Sequence, residues 1–471
     1  MSSLPAWSLE LLLIIVLLVV VAVVVGRLPR IELGHSAAFL RRRVANWLPL
    51  GLTYAFFYMG RYNIDAAKNA GLMTKEELGI VTFWGALTYG FSFLLNGPLT
   101  DRFGGRKTIL IGCIGSAAAN VLMGLYAMGS GGLALNATLV FSVIYSINMY
   151  FQSFGAVSIV KVNASWFHIR ERGVFGGIFG ILISLGVYFA YDWSRIITDS
   201  DVLPNAWVFF IPAILLVGFF LIDLFLVFDT PGQAGFKDFD PGDASSGDDG
   251  PKLPVLHIMK RMITNPIIVT IAIIECCSGF VRGSIMKWTY IFLPEIGAKD
   301  PSQPALNFAY EHWGMMLCLA GILGGVFAGT ISDRLFDSRR GPSAGILYVM
   351  VTVGIAIAAA LITMPAVGYV LVMVVMAVIG VHGMLSGTAS MDFGGKKNAG
   401  IAVGFIDGMV YLGFAIQANI IGHISPTGAA KSDPGNWRVW LFVTLPAAVL
   451  GLVLSLKIWN AKPKPKGGQP S

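Results

Sequence analysis

The sequence predicts an all-α polytopic membrane protein with two six-helix halves and one extra transmembrane helix at its N-terminus. Three observations predict this class: an apolar composition, apolar stretches that recur along the chain, and a loop motif that occurs once in each half. Hydrophobic residues make up 55% of the chain, charged residues 13%, and the mean hydropathy is +0.72. Soluble domains carry about 25% charged residues, so the composition excludes a soluble enzyme and a nucleic-acid-binding protein.

The net charge and the cysteines exclude further classes of protein. The formal net charge of +7 is explained by basic cytoplasmic loops, and we expect no nucleic-acid partner. The four cysteines lie in apolar stretches without the spacing of metal ligands, which predicts buried thiols and no disulfide framework. No metal and no cofactor are therefore expected. The Gly-rich phosphate loop of nucleotide-binding ATPases is absent, so neither ATP-driven transport nor enzymatic chemistry is predicted.

The first apolar stretch runs roughly from Leu9 to Val25 and is predicted to be a retained helix, not a cleaved signal peptide. Basic residues follow this helix, whereas none precedes it. They include Arg27, Arg30 and the run 41–43. The positive-inside rule places this cluster in the cytoplasm and the N-terminus outside. Residues 1–44 are thus predicted to form an extra transmembrane helix and a basic cytoplasmic loop.

Twelve further apolar spans follow, six in residues 45–229 and six in residues 263–460. Basic residues recur in alternate loops, as the positive-inside rule requires of one consistent orientation. A cytoplasmic tail is predicted over 461–471. The spans centre near 46–64, 78–99, 107–127, 136–160, 173–192 and 205–228, and near 265–292, 311–332, 343–363, 367–391, 400–422 and 438–459.

A polar segment separates the two sets of spans. Residues 229–254 read DTPGQAGFKDFDPGDASSGDDGPKLP, which is rich in Gly, Asp, Ser and Pro. This composition is typical of a solvated linker. We therefore predict a cytoplasmic linker over 230–262 that divides the core into two halves.

The halves share a loop motif between their second and third spans. GPLTDRFGGRK (97–107) and GTISDRLFDSRR (329–340) each contain Gly, three residues, Asp-Arg and a closing basic pair. The glycine is expected to permit close helix approach, the aspartate to bind backbone donors or a basic residue, and the cations to hold the loop inside. Two copies at matching positions predict a duplicated transporter. The candidate residues of these conformational loops are Gly97, Asp101, Arg102, Arg106, Gly329, Asp333 and Arg334.

Two arginines, Arg61 and Arg282, lie inside apolar spans at corresponding places in the two halves. An arginine in the bilayer core costs roughly 2.5 kcal/mol or more, so it is kept where it lines a polar cavity or meets an anion. One arginine from each half suggests one anion held between the halves. The alternative for Arg61 is that it extends to the outer interface. Tyr54 and Tyr58 precede Arg61 on the same helix face, as substrate ligands or as packing aromatics.

Several motifs resemble the major facilitator superfamily and, within it, the organophosphate:phosphate antiporters. The resemblance covers about residues 45–460 and includes the paired loops, the twelve spans and the polar linker. The matching stretches are YAFFYMGRYN (54–63), TYGFS (88–92), WFHIRERG (166–173), DTPGQAG (229–235), FVRGSIMKW (280–288) and GGKKNAGIAVGFIDGMVYLG (394–413). The chain has Phe93 and Ile183 where a well-known member has a lysine and a histidine, which leaves the substrate open.

The resemblance implies a substrate site between the halves, where Arg61 and Arg282 hold a phosphoryl group. It also implies that Tyr54, Tyr58, Tyr89 and Tyr411 lie at or near this site. Gln152 is a further candidate for binding substrate hydroxyls, with a helix–helix hydrogen bond as the alternative.

Four other polar residues inside spans are candidates for ion coupling or ion pairing. Glu275 precedes Arg282 by seven residues, and it either pairs with an arginine in the empty site or carries a proton. For Glu275 and for Asp407 the alternative is a wet cytoplasmic vestibule. Lys287 is a weak substitute for the missing lysine because it lies about 140° around the helix from Arg282. His382 is either a ligand or a hydrogen-bonded interior histidine.

These observations predict a secondary transporter that exchanges a phosphorylated small metabolite, such as a glycerol or sugar phosphate, for inorganic phosphate. The alternatives are a proton- or sodium-coupled symporter of an organic anion and a membrane sensor of sugar phosphate. The expected partners are the metabolite, phosphate and the lipid bilayer. We expect a monomer in a bacterial inner membrane, with its N-terminus outside and its C-terminus in the cytoplasm.

Overall fold

The computed structural model describes residues 34–129, 136–168, 172–200, 202–239, 262–336, 340–385 and 399–460, together with Val19 and Lys260. The predicted helix from Leu9 to Val25 lies outside the described residues except for Val19. The predicted tail over 461–471 and most of the predicted linker also lie outside them. Lys396 and Lys397, two basic residues of the tenth-to-eleventh junction, are likewise not described.

Twelve long helices are present in the described part of the chain, and each coincides with one predicted core span. A π-helical turn, Phe189–Trp193, and the short helix Ser194–Thr198 continue α5, and a short helix, Pro304–Glu311, precedes α8. The long helices are α1 Ala37–Asn69, α2 Lys75–Phe103, α3 Gly105–Gly129, α4 Ala137–Trp166, α5 Arg172–Tyr188, α6 Trp207–Leu226, α7 Pro266–Glu295, α8 Trp313–Leu335, α9 Arg340–Ala360, α10 Val367–His382, α11 Ala399–Ile424 and α12 Arg438–Lys457.

Ten of the described helices are long and apolar enough to cross a bilayer. The two core helices outside this set are α1 and α5. Helix α1 is 33 residues long and carries charged residues along its length, including Arg61, Asp65 and Lys68. Helix α5 is only 17 residues long before the π-helical turn extends it. Helix α1 is therefore outside the set because charged residues interrupt it, and α5 because it is short.

Local sequence signals explain where several helices begin. Thr74 caps α2, since its hydroxyl accepts from the Glu77 amide at 3.2 Å while the Glu77 carboxylate accepts from the Thr74 amide at 2.8 Å. This reciprocal pair is a capping box. Helix α7 begins after Asn265, whose side chain accepts from two backbone amides, and has Pro266 in its first turn.

The basic cluster 41–43 lies within α1, which differs from the cytoplasmic loop expected before residue 45. The Arg42 guanidinium donates to the carbonyl of Leu226, the last residue of α6, at 2.7 Å. Arg43 donates to the carbonyl of Trp166, the last residue of α4, at 3.4 Å. Carbonyl groups at helix C-termini have no partner within the helix and attract cations. The cluster therefore fastens the start of α1 to the ends of α4 and α6.

In the loop motif that the two halves share, the glycine does not have the role expected from the sequence. No heavy atom lies within 4 Å of a Cβ placed on Gly97 or Gly329, so the predicted close helix approach at these glycines is not made in this structure. Asp101 pairs with Lys161 of α4 at 2.7 Å, as one of the two predicted options required. The side chains of Asp333 and Arg334 lie outside the described set.

The loop between α2 and α3 also binds the beginning of the linker. The Arg106 amide donates to the Asp229 carboxylate at 2.8 Å, and the Arg106 guanidinium donates to the carbonyl of Leu224. Gly104 ends α2 with φ of 88°, and its missing Cβ leaves room for Asp229. The DTPGQAG segment thereby starts in a fixed position against the first half. Arg102 lies beside the ring of Phe103, with its guanidinium carbon 5.7 Å from the centroid.

The two halves meet mainly where α2 packs against α11 and α5 packs against α8. A Cβ on Gly79 would lie 2.6 Å from the Ala418 carbonyl oxygen, and one on Gly90 would lie 3.1 Å from the Gly408 carbonyl oxygen. Only glycine permits backbones to approach this closely. Helices α1 and α7, which carry the two arginines, face each other between these crossings. The site thus lies at the interface of the halves.

Candidate functional site

Arg61 is the central cation of the interface and is only 2% exposed. Its Nε donates to Gln152 Oε1 at 3.0 Å, and one terminal nitrogen donates to the Tyr411 hydroxyl at 2.9 Å. The other terminal nitrogen is buried and makes no hydrogen bond to the described residues. Arg61 therefore lies inside the bundle and does not reach the outer interface, and one of its terminal nitrogens is left for another partner.

The four predicted tyrosines surround this guanidinium. Its carbon lies 4.7 Å from the Tyr58 ring centroid and 4.3 Å from that of Tyr89. Tyr54 packs against Tyr58 at 5.5 Å, and Tyr89 packs against Tyr411 at 4.3 Å between centroids. Aromatic faces stabilise a desolvated cation through their quadrupoles. The structure brings these residues together, and their contact with a substrate stays a prediction.

A buried polar network in the first half fixes the position of Arg61. Gln152 donates to Ser116 at 3.3 Å and to Asn148 at 3.2 Å, while its oxygen accepts from Arg61. Asn148 donates to the carbonyl of Gly60, and Tyr145 donates to the carbonyl of Arg61, each at 2.8 Å. Both ends of the Gln152 amide are thus engaged within the protein. The helix–helix alternative describes Gln152 better than binding of substrate hydroxyls.

Arg282 approaches the same centre from α7. Its side chain is half-buried, and its Nε is buried without a hydrogen-bond partner among the described residues. Arg61 and Arg282 both interact electrostatically with Tyr58, Tyr62 and Tyr411. The two guanidinium groups therefore share one aromatic, hydroxyl-rich environment. Within the described part of the chain, no carboxylate lies within ion-pair distance of either group.

Lys287 is committed to a different partner, which sequence reasoning missed. Its ammonium lies 2.5 Å from a carboxylate oxygen of Asp65, with exposures of 1% and 0%, and donates to Thr82 at 2.7 Å. Tyr191 donates to the second Asp65 oxygen at 3.2 Å. This buried pair joins α1 of one half to α7 of the other. A signal was available, because an acid four residues after Arg61 matches a base five residues after Arg282.

Glu275 pairs with His382 and not with an arginine. The Glu275 carboxylate lies 2.9 Å from His382 Nδ1, and Glu275 is fully buried while His382 is 26% exposed. The other Glu275 oxygen makes no hydrogen bond to the described residues. No hydrogen bond joins Glu275 to Arg282, although the carboxylate acts electrostatically on that guanidinium, and the role of Glu275 in coupling stays a prediction. Asp407 is half-buried on α11, four residues before Tyr411.

A second group of ion pairs joins the halves at the end of the bundle where α2 begins, which we call the Lys75 end. Lys68 and Lys75 each lie 2.5 Å from one oxygen of Glu295. Asn69 donates to the carbonyl of Tyr290 at 3.0 Å. All these bonds connect α1 or α2 to α7. The positive-inside expectation makes this the outer end.

Two further contacts close the Lys75 end on the side of α5 and α8. Asp192, in the π-helical turn, accepts from the backbone amides of Gly314 and Met315 at 2.6 and 2.9 Å. Asp199 accepts from Lys299 at 2.7 Å and from Tyr310 at 3.3 Å. Burial raises the pKa of Tyr310 above its usual range, so its hydroxyl stays protonated and donates. The halves are thus closed against each other at this end.

An apolar hollow lies between α2 and α11, beside Tyr411 and apart from the arginines. It is lined by Leu87, Phe91, Leu94, Phe405, Met409 and Leu412, among others. Its walls offer no charged or hydrogen-bonding side chain. The anion-binding features therefore belong to the arginine cluster and not to this hollow.

Comparison with known proteins adds a family and several relatives. A sequence-family model described as the Major Facilitator Superfamily matches residues 50–418. The glycerol-3-phosphate transporter of Bacillus subtilis is 28% identical over 453 residues, which cover 90% of this chain and 94% of that protein. The membrane sensor protein UhpC of Escherichia coli is 25% identical, and the alignment covers 92% of this chain and 95% of that protein. A probable hexose phosphate transport protein of Chlamydia pneumoniae is 23% identical, with 90% and 92% covered.

Solved structures of low sequence identity share the fold. An inward-facing, unoccupied bacterial homologue of the human lysosomal transporter Spinster superposes with a TM-score of 0.70 at 14% identity, covering 92% of this chain and all of that one. The nucleoside transporter NupG superposes with a TM-score of 0.64 at 16% identity, covering 88% and 98%. These likenesses concern the architecture alone.

Proposed function

Because the chain belongs to the Major Facilitator Superfamily, we propose that it exchanges a phosphorylated small metabolite for inorganic phosphate across a bacterial inner membrane. The chain is a multi-pass membrane protein and not an enzyme. The predicted fold class and the resemblance to organophosphate:phosphate antiporters are confirmed. The substrate, the phosphate counter-substrate, the orientation of the termini and the monomeric state belong to the proposal.

One observation carries this function: the two central guanidinium groups keep buried donors that no described residue satisfies. One terminal nitrogen of Arg61 and Nε of Arg282 are the groups concerned. A buried charged donor without a partner is costly. Two like charges that share one environment raise that cost further, and the carboxylate of Glu275, which acts electrostatically on Arg282, forms its hydrogen bond with His382 instead. An anion that accepts from both arginines removes it, so the site is suited to an anionic ligand.

The chemistry of the donors favours a phosphate monoester. A guanidinium group donates in a planar fork that matches two oxygens of a phosphoryl group, and it stays charged at any physiological pH. A phosphate dianion balances two arginines, whereas a monocarboxylate leaves one charge unpaired. The hydroxyls of Tyr58 and Tyr411, both half-buried beside the arginines, are available to the ester group. Relatives named as glycerol-phosphate and hexose-phosphate transporters support the same substrate class.

The position of the arginines supports obligatory exchange. Arg61 belongs to the first half and Arg282 to the second, so a bound dianion attracts both halves. In the empty site the like charges repel each other, which disfavours the compact state that alternating access must pass through. Loaded carriers therefore cross more readily than empty ones. This is the property that distinguishes an antiporter from a uniporter.

The proposal is tested in vesicles that contain the purified protein. Vesicles preloaded with phosphate should take up labelled phosphate, glycerol 3-phosphate or a hexose phosphate at least tenfold faster than vesicles without it. R61K and R282K should each lower this exchange strongly because lysine lacks the planar fork. R41K, a change on the exposed start of α1, is the matched control and should exchange normally. Uptake that ignores internal phosphate would contradict antiport.

A proton-coupled symporter is a second candidate, favoured by the pair of buried Glu275 and partly exposed His382. The carboxylate and the imidazole share a hydrogen bond and each is a group that can hold a proton, so the pair is the candidate site for proton coupling. In that case uptake should collapse with an uncoupler and be independent of internal phosphate, and H382Q should abolish the stimulation of uptake by an imposed proton gradient. If uncouplers have no effect, the pair is structural.

The sensor alternative is supported by the similarity to UhpC. A sensor should bind the phosphorylated ligand without moving it. Thermal stabilisation by hexose phosphate, combined with no exchange in vesicles and a co-purifying partner, would favour this function over transport.

A further inference from the structure

Lys68 and Lys75 form a buried cationic pair that shares a single carboxylate. Each ammonium lies 2.5 Å from a different oxygen of Glu295, and the three side chains are 9%, 5% and 10% exposed. Lys75 also donates to the carbonyl of Pro426 and lies 4.8 Å from the centroid of the Trp437 ring. Lys431 is a further cation that acts on both lysines. Positive charge therefore exceeds the negative charge of Glu295 at this position.

The members of this cluster belong to different halves. Lys68 lies on α1 and Lys75 on α2, whereas Glu295 ends α7. Separation of the halves at the Lys75 end must draw Glu295 away from the two lysines. Both ammonium groups then remain on the wall of the first half without their counter-ion. An unpaired cation at a poorly hydrated site is costly, so an anion is attracted there.

The position of Lys68 connects this cluster to the central site. Lys68 follows Arg61 by seven residues, which places it on the same face of α1 and about 10 Å nearer the Lys75 end. An anion that enters between the halves from this end meets the lysines before it meets Arg61. Glu295 holds two acceptor oxygens against two ammonium groups, the arrangement that a phosphoryl group also provides.

We propose that Lys68 and Lys75 are a second anion-binding site, which receives the phosphorylated substrate at the Lys75 end when Glu295 moves away. Glu295 and the entering anion compete for the same two ammonium groups. In the closed state the carboxylate of Glu295 therefore occupies the place of the ligand's phosphoryl group. An anion that binds the two lysines from this face displaces Glu295 and favours opening. The inference rests on the proposed exchange of phosphorylated substrates.

Phosphate self-exchange in oriented membrane vesicles tests the site. We expect K68Q and K75Q to raise the KM for inorganic phosphate about tenfold, the usual weight of a hydrogen bond between charged groups, in only one of the two vesicle orientations. K68R and K75R should retain most of the affinity because they keep the charge. E295Q should lower the KM from the same face, since the competing carboxylate is neutralised.

Opposite shifts separate binding from damage to the fold. A variant that merely destabilises the protein lowers the amount of active carrier from both faces and does not improve affinity. K457Q, at the end of α12 and remote from the interface of the two halves, is the matched control and should leave the KM unchanged at both faces. Equal KM values for wild type, K68Q and K75Q at both faces, or an unchanged KM in E295Q, would overturn the site. No phosphate exchange by the wild type would instead contradict the proposed function.

Discussion

At the scale of single residues, the site depends on how neutral partners hold Arg61. Gln152 and Tyr411 orient the guanidinium without neutralising it. A carboxylate in place of either would satisfy the arginine permanently and compete with a ligand. One neutral partner from each half, Gln152 of α4 and Tyr411 of α11, therefore orients the cation without neutralising its charge, so the guanidinium stays able to bind an anion.

This reasoning predicts that Q152E impairs affinity more than stability. The new carboxylate should pair with Arg61 and raise the KM for phosphate by about tenfold or more. It also loses the hydrogen bonds that the amide donates to Ser116 and Asn148, so the thermal midpoint should fall, but less than in Q152L because Arg61 keeps a partner. Q152L should lower the midpoint further, because Arg61 Nε loses its partner. Exchange kinetics and thermal unfolding measure the two quantities. Q233E, on the exposed linker turn, is the control, and equal KM values in Q152E and wild type would refute the argument.

The buried pair of Asp65 and Lys287 gives a second prediction for single residues. D65N leaves a fully buried ammonium group without a counter-ion, which should lower the free energy of unfolding by about 3–5 kcal/mol. The double variant D65L/K287M removes both charges and should recover most of this loss. Unfolding in detergent measures each variant. If D65N and the double variant lose the same stability, the two residues are not coupled.

At the scale of elements, the ends of helices are connected by arginines. Arg42 donates to the C-terminal carbonyl of α6, and its guanidinium carbon lies 5.0 Å from the centroid of the Phe228 ring. The sequence predicts this basic cluster in a loop ahead of the first core span, whereas the structure has it inside α1, and its partners could not be predicted. Those partners, such as Leu226, lie 184 residues away along the chain, and the pairing depends on how helices pack side by side.

R42A should therefore lower the free energy of unfolding by about 1–2 kcal/mol, through the lost hydrogen bond and the lost aromatic contact. R41A, the adjacent and exposed change, should have an effect within about 0.5 kcal/mol. Thermal unfolding of the purified variants gives the comparison. Equal loss in both variants would mean that the total charge of α1 matters, and not the specific contact.

The glycines of α2 differ in their surroundings, and this difference yields a prediction for the element. G79A should destabilise the contact between α2 and α11, because its Cβ would lie 2.6 Å from the Ala418 carbonyl oxygen. The Cβ of G97A would have no heavy atom within 4 Å. We expect G79A to lower the thermal midpoint and G97A to leave it unchanged. If Gly97 serves close approach in the opposite conformation, G97A should still slow exchange. Normal exchange in G97A would show that Gly97 is not needed for close helix approach in either conformation.

At the scale of the whole molecule, the sequence predicts the architecture well and the interactions across the interface poorly. Apolar periodicity and the repeated loop yield the twelve helices because both depend only on neighbouring residues. Arg61 and its tyrosines follow from helical spacing and resemblance. The pairs Asp65–Lys287 and Glu275–His382 were not predicted, because each joins helices far apart in sequence. The expected angle of about 140° between Lys287 and Arg282 around the helix says nothing about an acid on another helix.

The cap that Asp192 provides for α8 has a consequence for the integrity of the membrane. The first backbone amides of α8, in the second half, donate to the carboxylate of Asp192 in the first half. Such hydrogen bonds are lost when the distance grows by a fraction of an ångström. A slightly widened seam would leave bare amide hydrogens and a bare carboxylate, so intermediate separations are unfavourable and opening is all-or-none. We therefore expect the carrier to pass no ionic leak current in the absence of substrate, which would preserve the electrochemical gradient across the membrane.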